Sequence, residues 1–278
     1  MRPIEPRSLL QDIVEIARLA GEAILQFYGR QIDVTSKDDS SPLTQADLAS
    51  HRLIRDALHS LLPGMPFLSE ESAAIDFAER STWQDYWLVD PLDGTKEFIK
   101  RNGEFTINIA LVRQHEPLIG VVHVPVTKMT YWGIANDGAG HIDPAGRTRA
   151  IAVRTPCAEP VIVVGSRSHA NPKLEQYLAP LGSYEFVSMG SSLKFCLVAE
   201  GKADFYPRLG PTSEWDTAAA HAVVSAAGGS VVTLDGQPLR YNCKPSLLNP
   251  EFLVYADISR DWLGLFRNYE TSPKFVPP

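Results

Sequence analysis

The sequence predicts a mixed α/β fold, with an α+β part at the N-terminus followed by an α/β part at the C-terminus. Two amphipathic helical segments come first, and strand patterns separated by turns then continue to about residue 156. After Pro156, strand and helix patterns alternate, which is typical of α/β architecture. Because 278 residues exceed the usual ~100–150 residues of one domain, we expect two coupled subdomains, 1–156 and 157–278.

Both N-terminal helices carry sequence signals for their ends. The first helix is predicted over residues 8–28, where apolar residues recur at helical spacing until Gly29, a stop signal. The second helix is predicted to begin at Thr44, because Thr44 and Asp47 have the form of a capping box in which Asp replaces Glu. Pro63-Gly64 is predicted to end this second helix.

The remaining elements follow from alternating or continuous apolar runs. In the first half, strands are predicted at 86–89, 105–112, 118–124 and 129–135. In the second half, strands are predicted at 161–164, 230–234 and 252–255, and helices from Asn171 and over 191–200 and 215–227. No internal repeat or low-complexity segment interrupts this order.

The charge balance and the cysteines exclude several functional classes. With 26 Lys and Arg residues against 33 Asp and Glu residues, the net charge is −7. A general nucleic-acid binder or a polybasic membrane anchor needs a basic surface instead. No run approaches the roughly 18 apolar residues of a spanning helix, and the N-terminus shows no apolar core of a secretory signal. Three widely separated cysteines form no CxxC pair, so we expect a cytoplasmic protein with reduced cysteines.

The most informative segment joins an apolar strand to two closely spaced carboxylates. The strand ends at Asp90, and Pro91 and Gly94 shape a turn that returns Asp93 to the same point. Two carboxylates on a rigid turn, with the Leu92 carbonyl between them, suit hard cations that prefer oxygen ligands. If a helix starts at Gly94, its free N–H groups would also favour a phosphate oxygen. The alternative is a capped turn with no ligand.

Further acidic positions are candidates for the same site, each with a structural alternative. Glu70 and Glu71 follow a short apolar pair, but a solvated acidic turn has the same pattern. Asp216 opens a predicted helix, where an acid also interacts favourably with the helix dipole. Asp47 serves equally well as a capping residue alone. Spacing does not show whether these segments converge in space.

Several long motifs, taken in order, resemble the inositol monophosphatase superfamily of Mg²⁺-dependent, lithium-sensitive phosphatases. The family hallmarks correspond to WLVDPLDGT at 87–95 and EWDTAAAHAVVSAAGG at 214–229. Four runs resemble its bacterial bisphosphate nucleotidase branch: DPLDGTKEFIKRNGEFTINIALV (90–112), SRSHA (166–170), GSSLKFCLVAEG (190–201) and YPRLGPTSEWDTAA (206–219). The likeness extends from the first helix to about residue 256. It implies a layered αβαβα sandwich of the inositol monophosphatase and fructose-1,6-bisphosphatase type, with the site between the two subdomains.

The resemblance assigns roles to the acidic positions one by one. The family's metal-ligand positions fall on Glu70, Asp90, the Leu92 carbonyl, Asp93 and Asp216. Two or three Mg²⁺ ions are expected there, with Asp90 shared between two of them. Asp47 and Thr95 correspond to the pair that orients the attacking water, so the predicted catalytic residues are Asp47, Glu70 and Thr95.

The resemblance also implies substrate contacts in the second half of the chain. Lys194 and Arg208 would hold the second, non-reacting phosphate of a nucleotide, although from composition alone both are ordinary surface cations. His169 corresponds to a residue near the nucleotide, with a structural histidine as the alternative. The predicted substrate-binding set is Gly94, Thr95, His169, Ser191, Lys194, Arg208 and Asp216.

The reaction that the resemblance implies is hydrolysis of the 3′-phosphate of adenosine 3′,5′-bisphosphate to AMP and phosphate, a step linked to sulfate assimilation. A second expected substrate is 3′-phosphoadenylyl sulfate. Two alternatives stay open: an inositol or sugar monophosphatase that shares the metals, and a non-catalytic nucleotide- or metal-binding sensor. The expected partner is a small-molecule nucleotide bisphosphate and not polymeric nucleic acid. The chain would be a monomer or homodimer, cytoplasmic or peripheral on the cytoplasmic face of the inner membrane.

Overall fold

The computed structural model of the chain describes residues 5–29, 35–36, 42–166 and 172–266. The α-helices in these ranges are α1 (Pro6–Leu25), α2 (Gln45–Leu61), α3 (Phe77–Arg80), α4 (Thr95–Lys100), α5 (Pro172–Leu178), α6 (Leu193–Ala199), α7 (Glu214–Ala226) and α8 (Trp262–Phe266). The strands are β1 (Thr35–Ser36), β2 (Pro42–Leu43), β3 (Phe67–Ser69), β4 (Asp85–Asp93), β5 (Thr106–Arg113), β6 (Glu116–Val124), β7 (Met129–Ile134), β8 (Gly138–Ile142), β9 (Thr148–Ile151), β10 (Val161–Gly165), β11 (Tyr184–Ser188), β12 (Phe205–Arg208), β13 (Ser230–Thr233) and β14 (Phe252–Tyr255).

The main elements form five layers, which confirms the predicted αβαβα sandwich. Helices α1 and α2 pack on one face of a seven-stranded sheet whose order is β3 to β9 in sequence. Helices α6 and α7 fill the space between its other face and a five-stranded sheet of order β11-β10-β12-β14-β13. Helices α5 and α8 cover the outer face of that second sheet. Three buried apolar clusters therefore fill the spaces between the layers, and the cluster around α6 and α7 contacts both sheets.

The relative direction of neighbouring strands differs between the two sheets. In the first sheet only the β3–β4 pair is parallel, and the strands from β4 to β9 are antiparallel neighbours. In the second sheet β10 pairs in parallel with β11 and β12, while β14 is antiparallel to β12 and β13. The predicted contrast between an α+β first half and an α/β second half is thus found in the strand directions.

The predicted N-terminal helices are confirmed, with small changes at their ends. Helix α1 begins at Pro6, because proline is favoured in the first turn of a helix, and it ends at Leu25 before a turn that reaches Gly29. Helix α2 begins after Thr44, and Thr44 and Asp47 form the capping box that the sequence predicts.

The sequence patterns missed the two-residue strands β1 and β2 as well as β8, β9, β11 and β12, and they indicated β3 only as a short apolar pair. Strands β9 and β11 are mostly exposed or half-buried, so their residues show no apolar periodicity. Strand β12 contains Pro207, which argues against a strand in a sequence reading. Strand β4 also extends beyond the predicted 86–89 to Asp93, and the predicted helix start at Asn171 lies outside the described residues.

Helix α7 lies unusually close to the first sheet because two paired glycines make room for it. Gly120 and Gly133 face each other on β6 and β7. A Cβ atom built on Gly120 would lie 2.0 Å from the Ala219 carbonyl oxygen, and one on Gly133 would lie 2.5 Å from the Ala222 carbonyl oxygen. The small side chains of α7 and these glycines together bring the start of the helix, and Asp216 with it, against the first sheet.

The connection between the two sheets runs from Ile151, where β9 ends, to Val161, where β10 begins. The predicted subdomain boundary at residue 156 falls within this connection and stays a prediction. None of the described helices is both long enough and apolar enough to cross a membrane.

Candidate active site

The end of β4 carries the predicted pair of carboxylates. The register of β4 against β5 shifts between Asp90 and Asp93, so the strand is irregular where the two aspartates lie. Asp90 is 1% exposed, and its Oδ1 accepts the Leu92 N–H at 3.0 Å. The Pro91 carbonyl accepts the hydroxyl of Ser50, a residue of α2, at 2.8 Å. These bonds hold the turn against the helix layer.

Asp93 is held by three donors that sequence reasoning missed. Its Oδ2 accepts the Ser192 N–H at 2.6 Å, and it lies 3.3 Å from the Thr106 hydroxyl and 3.4 Å from Asn108 Nδ2. Ser192 belongs to the second half of the chain, so this contact joins the two halves at the carboxylate. The available signal was the polar pair Thr106 and Asn108, two residues apart on one side of an otherwise apolar strand.

Asp47 and Thr95 lie together, as the resemblance implies. Thr95 begins α4 directly after Gly94, whose φ of +91° is a left-handed conformation that favours glycine. The Thr95 hydroxyl lies 3.3 Å from Asp47 Oδ1 and 3.4 Å from the Leu92 carbonyl. The other carboxylate oxygen of Asp47 accepts the Thr44 N–H at 2.8 Å. Asp47 is therefore a capping residue that also reaches Thr95.

The two remaining acids come from helix starts in different halves of the chain. Glu70 opens a short 3-10 turn, Glu70–Ser72, directly after β3, and it is half-buried. Asp216 is the third residue of α7, and its Oδ2 accepts the Ser213 N–H at 2.9 Å in a capping box. In Asp216, as in Asp47, only one carboxylate oxygen accepts the N–H of the helix cap. Capping alone therefore does not account for the second oxygen of either residue.

The carboxylates influence one another electrostatically, which shows that the segments converge. Burial raises the pKa of Asp90 well above its ordinary value, and the charges of Glu70, Asp93 and Asp216 raise it further. Burial and the Asp93 charge raise the pKa of Asp216 to about 8. Burial also raises the pKa of Asp93, against the opposing effect of the Lys194 charge.

The oxygen atoms left over by these hydrogen bonds form a donor set that fits a hard cation. Within the described ranges, Asp90, Asp93 and Asp216 each use one oxygen in hydrogen bonds and leave the second outside them. The arrangement is loose, because no three His, Cys, Asp or Glu side chains in the described part of the chain lie close enough to enclose an ion as they stand. Mutual repulsion among like charges favours such spacing, and a divalent cation would offset it.

A cavity of about 190 Å³ connects the carboxylates to basic groups of the second half. Asp93, Gly94 and Asp216 line its acidic end. Lys194 and Arg208 line the same cavity. The remaining lining residues include Lys96, Glu97, Ser166, Gly190, Ser191, Ser192, Phe195, Tyr206, Thr212 and Thr217. One small cavity therefore joins six of the twelve predicted site residues, from both halves of the chain. Asp47, Glu70, Asp90, Leu92 and Thr95 are not among its lining residues.

The two cations differ from ordinary surface residues, so the alternative from composition is wrong for Lys194. Lys194 is 6% exposed, and its Nζ donates to the Ser191 carbonyl at 2.5 Å. Burial lowers the pKa of Lys194 to about 8, although the nearby Asp93 charge opposes that shift. Arg208 Nη2 donates to the Pro211 carbonyl at 2.7 Å, while its Nε is buried with no hydrogen-bond partner among the described residues. His169 lies outside the described residues.

A larger cavity, of about 510 Å³, lies elsewhere. It is lined by Arg55, Asp56, His59, Met65, Phe67, Ser72, Ile75 and Trp87. It contains none of the predicted site residues, and its two surface charges, Arg55 and Asp56, pair with each other. Chemistry, and not volume, therefore identifies the smaller cavity as the candidate active site.

Sequence comparison gives a family and close relatives. A profile described as the inositol monophosphatase family matches residues 5–260 of the chain. The Escherichia coli (strain K12) protein named 3′(2′),5′-bisphosphate nucleotidase CysQ is 52% identical over 248 residues, which cover 88% of this chain and 99% of that protein. The CysQ of Aggregatibacter actinomycetemcomitans, with the same enzyme name, is 42% identical over 270 residues, covering 96% of this chain and 99% of that protein.

Comparison with solved structures agrees with the sequence comparison. The crystal structure of CysQ from Bacteroides thetaiotaomicron, described as a bacterial member of the inositol monophosphatase family, matches with a TM-score of 0.79 and 44% identity. The match covers 90% of this chain and 97% of that one. The fold found here is therefore that of the family whose motifs the sequence resembles.

Proposed function

Because the chain belongs to the inositol monophosphatase family, we propose that it is a 3′(2′),5′-bisphosphate nucleotidase that removes the 3′-phosphate of adenosine 3′,5′-bisphosphate. The observation that carries this proposal is the cavity that joins Asp93 and Asp216, whose charges act on the buried Asp90, to Lys194 and Arg208. A substrate with two phosphates matches such a cavity, with the reacting phosphate at the acidic end and the other at the basic end.

The acidic end requires cations before it can receive a phosphate. We propose that Glu70, Asp90, the Leu92 carbonyl, Asp93 and Asp216 hold two or three Mg²⁺ ions, because oxygen ligands suit this ion. When bound, Mg²⁺ supplies water activation and neutralises charge on the leaving oxygen. The chain's own contribution is the placement of oxygens from β4, the Glu70 turn and α7 around one end of the cavity.

Asp47 and Thr95 are proposed to orient the attacking water. The Asp47 Oδ2 atom is fixed by the start of α2, and Oδ1 lies within hydrogen-bonding distance of Thr95. The Thr95 oxygen, whose own proton is directed at Asp47, can accept a hydrogen bond from water and hold the water oxygen in line with phosphorus, and the Asp47 carboxylate can take up the proton that is released. Gly94 lines the cavity beside Thr95 and is proposed to contact the reacting phosphate.

The second phosphate is proposed to meet Lys194, Arg208 and Ser191. The unpartnered Arg208 Nε offers a donor that a phosphate oxygen would satisfy, and a charged hydrogen bond of this kind is stronger than a neutral one. A monophosphate substrate leaves that donor unpaired, which supports the nucleotidase over an inositol or sugar monophosphatase. The proposed set also includes His169 and Asp216.

The wider expectations belong to the same proposal. They are activity on 3′-phosphoadenylyl sulfate, a place in sulfate assimilation, a cytoplasmic location with or without peripheral membrane association, and a monomeric or homodimeric state. The sensor alternative is disfavoured by the Asp47–Thr95 contact, because a sensor has no need to orient water.

Phosphate release with Mg²⁺ tests the proposed function. We expect adenosine 3′,5′-bisphosphate to be hydrolysed with a kcat/KM at least about tenfold above that of inositol 1-phosphate, since one charged hydrogen bond contributes roughly 1.5–3 kcal/mol. Preference for inositol 1-phosphate would contradict the nucleotidase assignment. Nucleotide binding with no phosphate release would support the sensor instead. Inhibition by lithium is the family-level check.

A further inference from the structure

We propose that Thr106, Asn108 and Ser192 are positioning residues, which fix the orientation of Asp93 and connect the cation site to the substrate-binding segment that begins α6. This inference rests on the proposed function, because it takes Asp93 as a cation ligand. Nothing in the family resemblance assigns a role to Thr106, Asn108 or Ser192.

The two oxygens of Asp93 differ in their hydrogen-bond partners. All three donors to this side chain, Ser192 N–H, Thr106 Oγ1 and Asn108 Nδ2, converge on Oδ2 at 2.6, 3.3 and 3.4 Å. Among the described residues, none donates to Oδ1, and Asp93 lines the cavity. The carboxylate is therefore anchored by one oxygen, which leaves the other available to a cation.

The donors to Asp93 are themselves buried and hydrogen-bonded to one another. Thr106, Asn108 and Ser192 are each at most 2% exposed. The Ser192 hydroxyl lies 2.8 Å from Asn108 Oδ1 and 2.8 Å from the Thr106 oxygen, and its one proton is shared between these two acceptors while the Thr106 proton is donated to Asp93 Oδ2. Because Asn108 Oδ1 accepts from serine, its Nδ2 is turned towards Asp93. Such a closed buried network holds each member in one orientation.

The network connects Asp93 to the segment that begins α6. Ser192 immediately precedes α6, beside Ser191 and near Lys194, which line the basic part of the cavity. On the other side of Ser192, the Gly190 N–H donates to Glu104 Oε2 at 2.8 Å. The segment 190–194 is thus attached to the first half of the chain at Glu104 and at Asp93. A shift of Asp93 on cation binding would be transmitted directly to this segment.

Partners that orient a metal ligand typically contribute about 10- to 100-fold to metal affinity. We therefore expect Thr106→Val, which removes the hydroxyl at nearly constant volume, to weaken Mg²⁺ binding by about tenfold or more. Thr106→Ser keeps the hydroxyl and should bind Mg²⁺ within about twofold of the wild-type protein. Thr130→Val is the matched control, because Thr130 is a buried strand hydroxyl of the same sheet, 2% exposed, that contacts only His123 Nδ1 among the described side chains.

The experiment measures the Mg²⁺ dependence of the thermal unfolding midpoint, with and without saturating AMP, for these four proteins. Binding to the folded state stabilises it by RT ln(1 + [Mg²⁺]/Kd), so the Mg²⁺ concentration at which Tm begins to rise reports the Kd without requiring activity. We expect wild type, Thr106→Ser and Thr130→Val to share one Mg²⁺ dependence and Thr106→Val to need at least about tenfold more Mg²⁺. We also expect AMP to lower the Mg²⁺ requirement less in Thr106→Val than in the wild-type protein.

Equal Mg²⁺ dependence in wild type and folded Thr106→Val would overturn the positioning role and leave the proposed function intact. A wild-type protein that Mg²⁺ does not stabilise would overturn the proposed cation site, and this inference with it. Loss of Mg²⁺ binding in Thr130→Val as well would also overturn the inference, because any buried hydroxyl would then suffice. If Thr106→Val does not fold, Ser192→Ala replaces it, and unchanged Mg²⁺ binding in Ser192→Ala would contradict the proposal.

Discussion

The hydroxyl of Thr95 lies 3.3 Å from the Oδ1 atom of Asp47, and 48 residues separate the two in the sequence. Asp47 reaches this position because its other oxygen caps α2, and Thr95 reaches it because Gly94 turns the chain from β4 into α4. This pair is the part of the candidate site that is best suited to orient water.

The hydroxyl of Thr95 is expected to be needed for turnover. Thr95→Val should lower kcat by about 10- to 100-fold with a smaller effect on KM, because a positioned group acts mainly in the transition state. Thr95→Ser, which keeps the hydroxyl, should retain most of the activity. Steady-state kinetics with adenosine 3′,5′-bisphosphate compares the two variants. Equal activity of the valine and serine variants would show that the hydroxyl has no role in orienting water.

Asp90→Asn is expected to abolish turnover and to stabilise the metal-free protein. The pKa of Asp90 is raised by burial and by three neighbouring carboxylates, so its charge destabilises the folded state when no cation is present. The asparagine Oδ1 can still accept the Leu92 N–H. Unfolding in EDTA should therefore show a gain on the order of 1–2 kcal/mol. Near-normal activity at saturating Mg²⁺ would contradict the proposed role of Asp90 between two ions.

Arg208→Lys is expected to weaken selection of the second phosphate. The guanidinium offers a planar set of donors, including the unpartnered Nε, that an ammonium group cannot reproduce. The KM for adenosine 3′,5′-bisphosphate should rise by about 10- to 100-fold, which corresponds to one charged hydrogen bond. Adenosine 3′-monophosphate, which lacks the second phosphate, is the matched control and should be little affected. An equal rise in KM for both substrates would exclude a specific contact with the second phosphate.

The stability of the metal-free protein should fall in acid partly through His123. Burial, and then the Arg18 charge, lower the pKa of His123 to about 4, while its unfolded value is near 6.5. A depressed histidine pKa contributes stability that is present above pH 6.5 and is lost as the pH falls towards 4. Asp216 changes in the opposite direction, because its pKa is raised, but it does so equally in any variant of His123.

This effect is measured by comparing wild type with His123→Asn by chemical unfolding in EDTA at pH 7 and pH 4.5. The wild-type protein should lose on the order of 2–3 kcal/mol more than the variant between these two values. Identical pH dependence of the two proteins would show that His123 takes up its proton in the folded state without cost.

The sequence predicted the local structure around several acidic positions, because each of these follows a local signal. Asp90 ends an apolar strand, Asp47 and Asp216 occupy the third positions of capping boxes, and the capping signal does not depend on the rest of the fold. Convergence of these positions required the resemblance, because it depends on sheet order and on the paired glycines beneath α7.

The network around Asp93 could not be predicted from local patterns. Ser192 and Asp93 are 99 positions apart, and their contact depends on how the middle helix layer meets the first sheet. The burial of Lys194 had a signal, since α6 is apolar on nearly all sides and such a helix is buried. The roles of the site residues in metal and substrate binding stay predictions.

The most direct test of the central claim is a crystal structure with Mn²⁺ and AMP, in which anomalous scattering locates the ions. The account predicts two anomalous peaks that share the Asp90 carboxylate, one of them contacting Asp93 Oδ1 or Asp216 Oδ1, with the 5′-phosphate of AMP on Lys194 and Arg208. An absence of anomalous density at Asp90 in a crystal soaked with saturating Mn²⁺ would contradict this prediction. A 5′-phosphate that contacts neither Lys194 nor Arg208 would also contradict it.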